Sequence, residues 1–283
     1  MEITVRDIPV YCEVAGEGTP LLAIHGWSPD HRLMRGCLEP VFEDPDRPDG
    51  PYRRIYFDLP GMGQTPGPRW IDGSDRMLEV VLGLIDALIP GERFLVAGES
   101  YGGYLARGLV ARRSEMIDGV LLICPLAQPY RNTDAGVDKG DVPELTVLEP
   151  DPDFLASLSD AHRTQFTGLA VRQNRRVWER FRDEILPALE MADQDFLENC
   201  LSRNTPFTFP IDDPARPFPG PTLILTGRQD NATGYRDPWR FLECYPRATF
   251  AVLDGAGHNL QIEQDVLFTA LVREWLERVE GLR

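Results

Sequence analysis

Short, nearly continuous apolar runs alternate along this chain with longer stretches in which apolar residues recur every third or fourth position. Glu2 to Val14 alternates apolar and polar residues with a break near Asp7-Ile8-Pro9, which predicts a hairpin. Leu21 to Ile24 is apolar throughout and predicts a strand buried on both faces, followed by a loop and by an amphipathic stretch that begins at His31. Arg53 to Phe57 predicts another strand, ended by the turn signal Asp58-Leu59-Pro60-Gly61. From Ser74 to Ile89, Met77, Leu78, Val81, Leu84, Ile85 and Leu88 fall at helical spacing, with Ser74 as the expected amino-terminal cap and Pro90-Gly91 as the stop. Arg93 to Ala97, Tyr101 to Arg113 and Gly119 to Cys124 read as strand, helix and strand. Such alternation predicts an α/β fold, a mostly parallel central sheet flanked by helices.

After Pro125 the alternation breaks. Leu126 to Pro152 is loop-like, and helical periodicity follows without an intervening strand: one helix over Ala161 to Leu189 and a shorter one over Asp193 to Arg203. Prolines 206, 210, 214, 217, 219 and 221 mark an extended return. Thr222 to Thr226, Asp237 to Cys244, Thr249 to Leu253 and Leu260 to Val279 then resume as strand, helix, strand and helix. The expected organisation is a core of residues 1–125 and 219–283 interrupted by a helical insertion, 126–218. Within the insertion, Phe154, Leu158, Phe166, Leu169, Trp178 and Phe181 are expected to pack on one another, and Arg172, Arg175 and Arg176 to form a solvated face.

Charge narrows the function classes. With 45 acidic against 29 basic residues and a net charge of −16, the averaged field repels phosphate backbones and anionic membranes, so no nucleic-acid partner is expected. No apolar run approaches the roughly 20 residues of a membrane span. The amino terminus lacks the basic flank and apolar stretch of an export signal, and the expectation is a cytoplasmic protein acting on a small molecule, with homo-oligomerisation left open. The 5 cysteines are odd in number and scattered, which predicts buried thiols and not disulfides or metal ligands.

The chemistry concentrates at Gly98-Glu99-Ser100-Tyr101-Gly102, a G-x-S-x-G sequence between a predicted strand and a predicted helix. A serine on so tight a turn stands above the sheet edge, and Gly98 and Gly102 leave room for the backbone to double back. A serine hydroxyl needs a base, and the base needs an orienting carboxylate. His258, in Gly255-Ala256-Gly257-His258-Asn259 between the last strand and last helix, is the expected base; His25, His31 and His162 have local structural settings. Asp230 follows another strand end and is the expected acid, with Asp254 and Asp134 as rivals. Backbone donors for an oxyanion are expected from the amides of Tyr101, after the serine, and Trp27, after Gly26 in His25-Gly26-Trp27-Ser28. No metal or organic cofactor is required by this set.

With HGWS, DLPGMGQT, GESYGG, GRQD and GAGH in order over nearly the whole chain, the sequence resembles the α/β-hydrolase superfamily. The resemblance implies Ser100 as nucleophile, Asp230 as acid, His258 as base, Trp27 and Tyr101 as oxyanion donors, and the insertion as a helical cap. It makes Asp58 a turn-forming residue. The implied activity is hydrolysis of a carboxylic ester or related acyl bond through an acyl-enzyme. Ser100 stands where dehalogenases and epoxide hydrolases of this fold carry aspartate. Carbon–carbon bond hydrolases often have asparagine where this chain has Glu99, and prolyl aminopeptidases often have G-G-S-W-G. Those two classes, enol-lactonases, perhydrolases, an acyltransferase and a non-catalytic ligand receptor are the alternatives.

Overall fold

The amino-terminal alternation forms the hairpin β1 (Glu2–Val5) and β2 (Ile8–Ala15) in a computed structural model that describes residues 1–43, 52–128, 131–133, 136–138, 141–203 and 205–282. Then come β3 (Thr19–Ile24), α1 (His31–Phe42), β4 (Tyr52–Phe57), α2 (Ser74–Leu88), β5 (Phe94–Glu99), α3 (Tyr101–Arg113) and β6 (Ile117–Ile123). The intervening segment holds β7 (Arg131–Thr133), β8 (Gly136–Asp138), β9 (Glu149–Pro150), α4 (Pro152–Ala156), α5 (Asp160–Thr167), β10 (Arg172–Gln173), α6 (Arg175–Glu184), α7 (Leu186–Met191) and α8 (Gln194–Asn199). β11 (Thr222–Gly227), β12 (Ala248–Leu253), α9 (Leu260–Glu263) and α10 (Asp265–Glu280) complete the chain.

Eight strands make one sheet in the order β1-β2-β4-β3-β5-β6-β11-β12. β2 meets β4 antiparallel, and every pairing from β4 through β12 is parallel. The buried strands read as apolar runs because helices cover both faces: α2 and α3 contribute to one core, α1 and α10 to the other. The intervening helices build a third cluster from Phe154, Phe166, Trp178 and Phe181, joined by Leu33 of α1 and Ile262 of α9. All five cysteines are buried and free. Among the described residues no helix is long and apolar enough to cross a membrane.

The amphipathic stretch expected from His31 is α1, capped by Asp30, whose carboxylate accepts from Arg32 N, with Pro40 in its last turn. Other expectations change. The single helix expected over 161–189 is broken, because α5 ends at Thr167, β10 pairs with β9, and Asn174 starts α6 anew by accepting from Val177 N at 3.1 Å. Ser74 does not cap α2: Gly73 occupies the cap, and Ser74 Oγ instead lies 2.9 Å from the hydroxyl of Tyr101.

A buried charge ties the insertion's two ends to α3. The Arg107 guanidinium donates to the carbonyls of Leu126 at 2.8 Å and Ala127 at 3.0 Å, pairs with Asp212, and lies 4.0 Å over the Phe241 ring. Leaving one member of a buried pair uncompensated costs more than the pair contributes. Arg107→Ala strands the Asp212 carboxylate and two carbonyls, and chemical denaturation should find it destabilised by about 3–5 kcal/mol.

Candidate active site

Strands β3, β5, β6, β11 and β12 run parallel, so the loops leaving them meet above one rim of the sheet, where open α/β sheets bind ligands. Ser100 leaves β5 with φ 53° and ψ −117°, a left-handed backbone that is costly for a residue bearing a side chain. Its neighbours impose that conformation. A Cβ on Gly98 would lie 2.3 Å from the Gly102 carbonyl oxygen, and one on Gly102 would lie 2.2 Å from that of Ile24. Only glycine lets β5 turn into α3 so tightly against β3. Ser100 N donates to Ile123 O at 2.9 Å, while Ser100 O accepts from Leu126 N at 3.0 Å, so the turn is also held from β6.

Asp230, fully buried beyond the end of β11, accepts through Oδ1 from the amides of Ala232 at 2.8 Å and Thr233 at 3.0 Å. Its Oδ2 lies 2.8 Å from Thr233 Oγ1 and 3.0 Å from Nδ1 of His258, in the loop after β12. Ser100, Asp230 and His258 thus stand beyond the ends of β5, β11 and β12, with β6 between the first two. The His258 Nε2 faces Oε1 of Glu99 at 3.4 Å. On the next strand, Gly26 and Trp27 leave β3, and the Trp27 ring meets that of Tyr101 edge to face at 5.3 Å. A Cβ on Gly26 would lie 2.2 Å from Glu99 Oε2 and 2.9 Å from Ser100 Cβ, so this loop lies directly against the serine and its neighbour.

Burial and charge oppose one another here. Burial disfavours the imidazolium of His258, but the charge and hydrogen bond of Asp230, reinforced by Glu99 and Glu263, carry its pKa up to about 9. Burial likewise pushes the Asp230 carboxyl up, yet His258 and Thr233 outweigh it and hold the group below its ordinary value. Glu99 lacks such compensation: burial dominates, and His258 and the Gly26 amide only partly oppose it, leaving the carboxyl at about 7.

The remaining candidates serve the frame. His25 is buried, with Nε2 accepting from Leu59 N at 2.9 Å and Nδ1 2.8 Å from Gly26 O; burial lowers its pKa, and it ties the β3 loop to the β4 loop as a neutral ring. His31 pairs with Asp58 at 2.7 Å, and Asp58 also accepts from Gln64 N at 2.8 Å, the turn-forming role expected of it. His162 lies against the Trp178 ring. Asp254 is exposed and accepts from Gln229 Nε2 at 2.9 Å, while Asp134 lies outside the described residues. Arg175 and Arg176 are exposed, as expected of a solvated face, with Arg175 over the Phe154 ring and Arg176 paired with Asp265 at 2.8 Å, whereas Arg172 is half-buried and donates to Gly255 O at 2.8 Å.

Ligand atoms of Cys124, Asp230 and His258 lie within 4.8 Å of one another, as do those of Asp30, His31 and Asp58. Hydrogen bonds within and around each set account for both clusters. Three residues of the site were not foreseen. Thr233 supports Asp230, and Glu263 accepts from Gly257 N at 2.6 Å and from Val171 N at 2.6 Å, fastening the His258 loop to the insertion. The third, Glu99, showed in the sequence only as a departure from the asparagine of one subgroup.

Comparison with known proteins identifies the family and the fold. The sequence pattern of the alpha/beta hydrolase family matches residues 21–271. The chain is similar to a 2-hydroxymuconate semialdehyde hydrolase of Pseudomonas putida, at 26% identity over 94% of this chain and 90% of the relative. It is similar to a pimeloyl-[acyl-carrier protein] methyl ester esterase of Legionella pneumophila, at 22% identity over 95% of this chain and 99% of the relative. A solved alpha/beta superfamily hydrolase from Oenococcus oeni superposes with a TM-score of 0.83 at 27% identity, covering 96% of both chains. A parallel sheet with a left-handed serine after its central strand, matched over nearly its full length by these hydrolases, leaves one assignment: the chain belongs to the alpha/beta hydrolase family.

Proposed function

We propose that this protein is a serine hydrolase that cleaves a carboxylic ester, or a related acyl bond, of a small molecule. The observation that carries the reading is a serine on a left-handed elbow at the same sheet rim as an imidazole whose Nδ1 lies 3.0 Å from a buried carboxylate. Ser100 Oγ bonds to the acyl carbon as His258 Nε2 takes its proton, and Asp230 steadies the imidazolium. The Trp27 and Tyr101 amides receive the charge on the acyl oxygen. As the bond to the leaving oxygen breaks, His258 returns the proton to it. Water then attacks the acyl-enzyme, giving its proton to His258, and Ser100 leaves with that proton as the acid product departs.

Residues 126–218 act in this reading as a helical cap on the core of residues 1–125 and 219–283. The third apolar cluster supports it, since that cluster lies within the insertion yet includes Leu33 and Ile262 of the core. Carbon–carbon bond hydrolysis is the second reading, favoured by the similarity to the 2-hydroxymuconate semialdehyde hydrolase of Pseudomonas putida. The buried carboxyl of Glu99 beside His258 weighs toward the ester, because its ionised form repels the anionic muconate-type substrate that the relative's name specifies.

Labelling with a fluorophosphonate and turnover of p-nitrophenyl esters of graded chain length, set against a 2-hydroxymuconate semialdehyde, test the assignment. Ser100→Ala should lose the label and at least about 10⁴-fold in kcat, and Asp230→Asn should lose about 10⁴-fold with the label slowed. Labelling of Ser100→Ala at another residue, or turnover confined to the carbon–carbon substrate, rejects the ester reading.

Stability carries a second signature. A His258 pKa raised from 6.5 to about 9 means that the folded state binds the proton more tightly, so this contribution is complete below pH 6.5 and is lost as the pH rises through about 9. The Glu99 carboxyl, raised from 4.5 to about 7, has the same sign, with loss between those values. The melting temperature should therefore fall from pH 6.5 to pH 9.5, and His258→Gln should flatten the upper part of that fall.

A further inference from the structure

Glu99 is only 2% exposed, its Oε2 has no hydrogen-bond partner, and its Oε1 faces His258 Nε2 at 3.4 Å. A buried carboxyl oxygen without a donor is costly wherever it stands, and here it borders the atom that would take the proton of Ser100. The backbone leaves it little freedom. Glu99 is the last residue of β5, and its carboxyl is wedged beneath Gly26, where a Cβ would come within 2.2 Å of Oε2.

We propose that Glu99 is a positioning residue that competes with Ser100 for Nε2 of His258, holding the imidazole as a doubly paired cation until the proton between them is lost. The inference rests on His258 acting as the base of Ser100. With Asp230 bonded at Nδ1 and the Glu99 carboxyl 3.4 Å from Nε2, the imidazolium is flanked by two acidic groups, and while Nε2 carries its proton the ring cannot accept one from the serine. Losing the Nε2 proton to solvent frees that nitrogen to accept from Ser100 Oγ. The gain is a base that stays off at low pH, in a site whose serine sits on a preformed elbow.

Other titratable groups around the pair have the same sign or are silent. Glu263, behind Gly257, is buried and adds negative charge to the His258 environment. Thr233 Oγ1, 3.4 Å from Nδ1, is neutral. The Cys124 thiol, near Asp230 and Glu99, and the Cys37 thiol of α1 are driven up by burial and remain protonated. Asp230 and Glu263 stay in place when Glu99 is replaced, so a change in the behaviour of His258 can be assigned to Glu99.

The test needs no knowledge of the natural substrate. A fluorophosphonate phosphonylates Ser100 by forming an O–P bond and expelling fluoride, while His258 takes the serine proton; its second-order rate against pH reports the free base. Wild type should show an acid limb above the ordinary imidazole value. Glu99→Gln and, as a second variant without the charge, Glu99→Leu should move that limb down by about one pH unit, so that labelling at pH 7 accelerates about tenfold. Melting curves establish that each variant is folded. A folded variant that slows by the same factor at every pH, with the limb unmoved, shows a structural residue only and overturns the inference. A wild-type limb at or below the ordinary imidazole value overturns it without any variant. Label retained in Ser100→Ala, by contrast, sinks the underlying assignment of the nucleophile, whereas label lost in Ser100→Ala with an unmoved limb sinks the Glu99 inference alone.

Discussion

The contact between the end of β5 and the start of α3 governs what the rest of this molecule can do. Gly98 lies against the Gly102 carbonyl and Gly102 against that of Ile24, at separations that leave no room for a methyl group. The left-handed backbone at Ser100 follows from this contact. An isolated peptide would relax from that conformation at a gain of about 1–3 kcal/mol, and the sheet prevents it by gripping the turn from β3 and β6 at once. Hydrophobic burial on both faces supplies the rigidity, so the apolar strands and the reactive serine are parts of one argument.

Two carboxyls flank one imidazole, and their difference is instructive. Asp230 accepts from two amides as well as from His258, and these donors keep it ionised in a fully buried position. Glu99 is equally buried, but one of its oxygens has no donor, so burial prevails and carries its pKa up to about 7. The same side chain chemistry therefore yields an orienting anion on one side of His258 and a titrating neighbour on the other. What separates them is the set of compensating partners: Asp230 bonds directly to His258 and also to Thr233 and two amides of the turn after β11, whereas Glu99 has only the His258 charge and the Gly26 amide against its burial.

The fold was legible because buried parallel strands write themselves as apolar runs, and because Gly-x-Ser-x-Gly gains meaning between a strand and a helix. The strand ends bearing Ser100, Asp230 and His258 could be read from turn signals alone. Segments whose structure depends on partners distant in sequence could not. α1 showed only as an amphipathic stretch from His31, its extent hidden by Pro40, and its apolar face finds its place against α10 and the sheet. The helical period continued through Gly168 and Asn174, so residues 161–189 read as one helix until the capping bonds showed where each piece begins. Ser74 looked like a cap because cap residues are recognised by type, yet its hydroxyl was taken by Tyr101, 27 residues away. Glu263 and Thr233 carry no motif at all. Their significance lies in contacts across 92 residues to Val171 and 109 residues to Cys124.

Glu263 also links the segment between β6 and β11 to the loop that carries His258. Its carboxylate accepts from Gly257 with one oxygen and from Val171 and Arg172 with the other, so a single buried side chain bridges the His258 loop and the strand-like segment at β10. Arg172 doubles the link through Gly255. Ser100 is tied as well, its amide to Ile123 of β6 and its carbonyl to Leu126. Separating Glu263 from its three amides would leave a carboxylate without donors in a dry setting, so these bonds resist movement of the His258 loop away from β10.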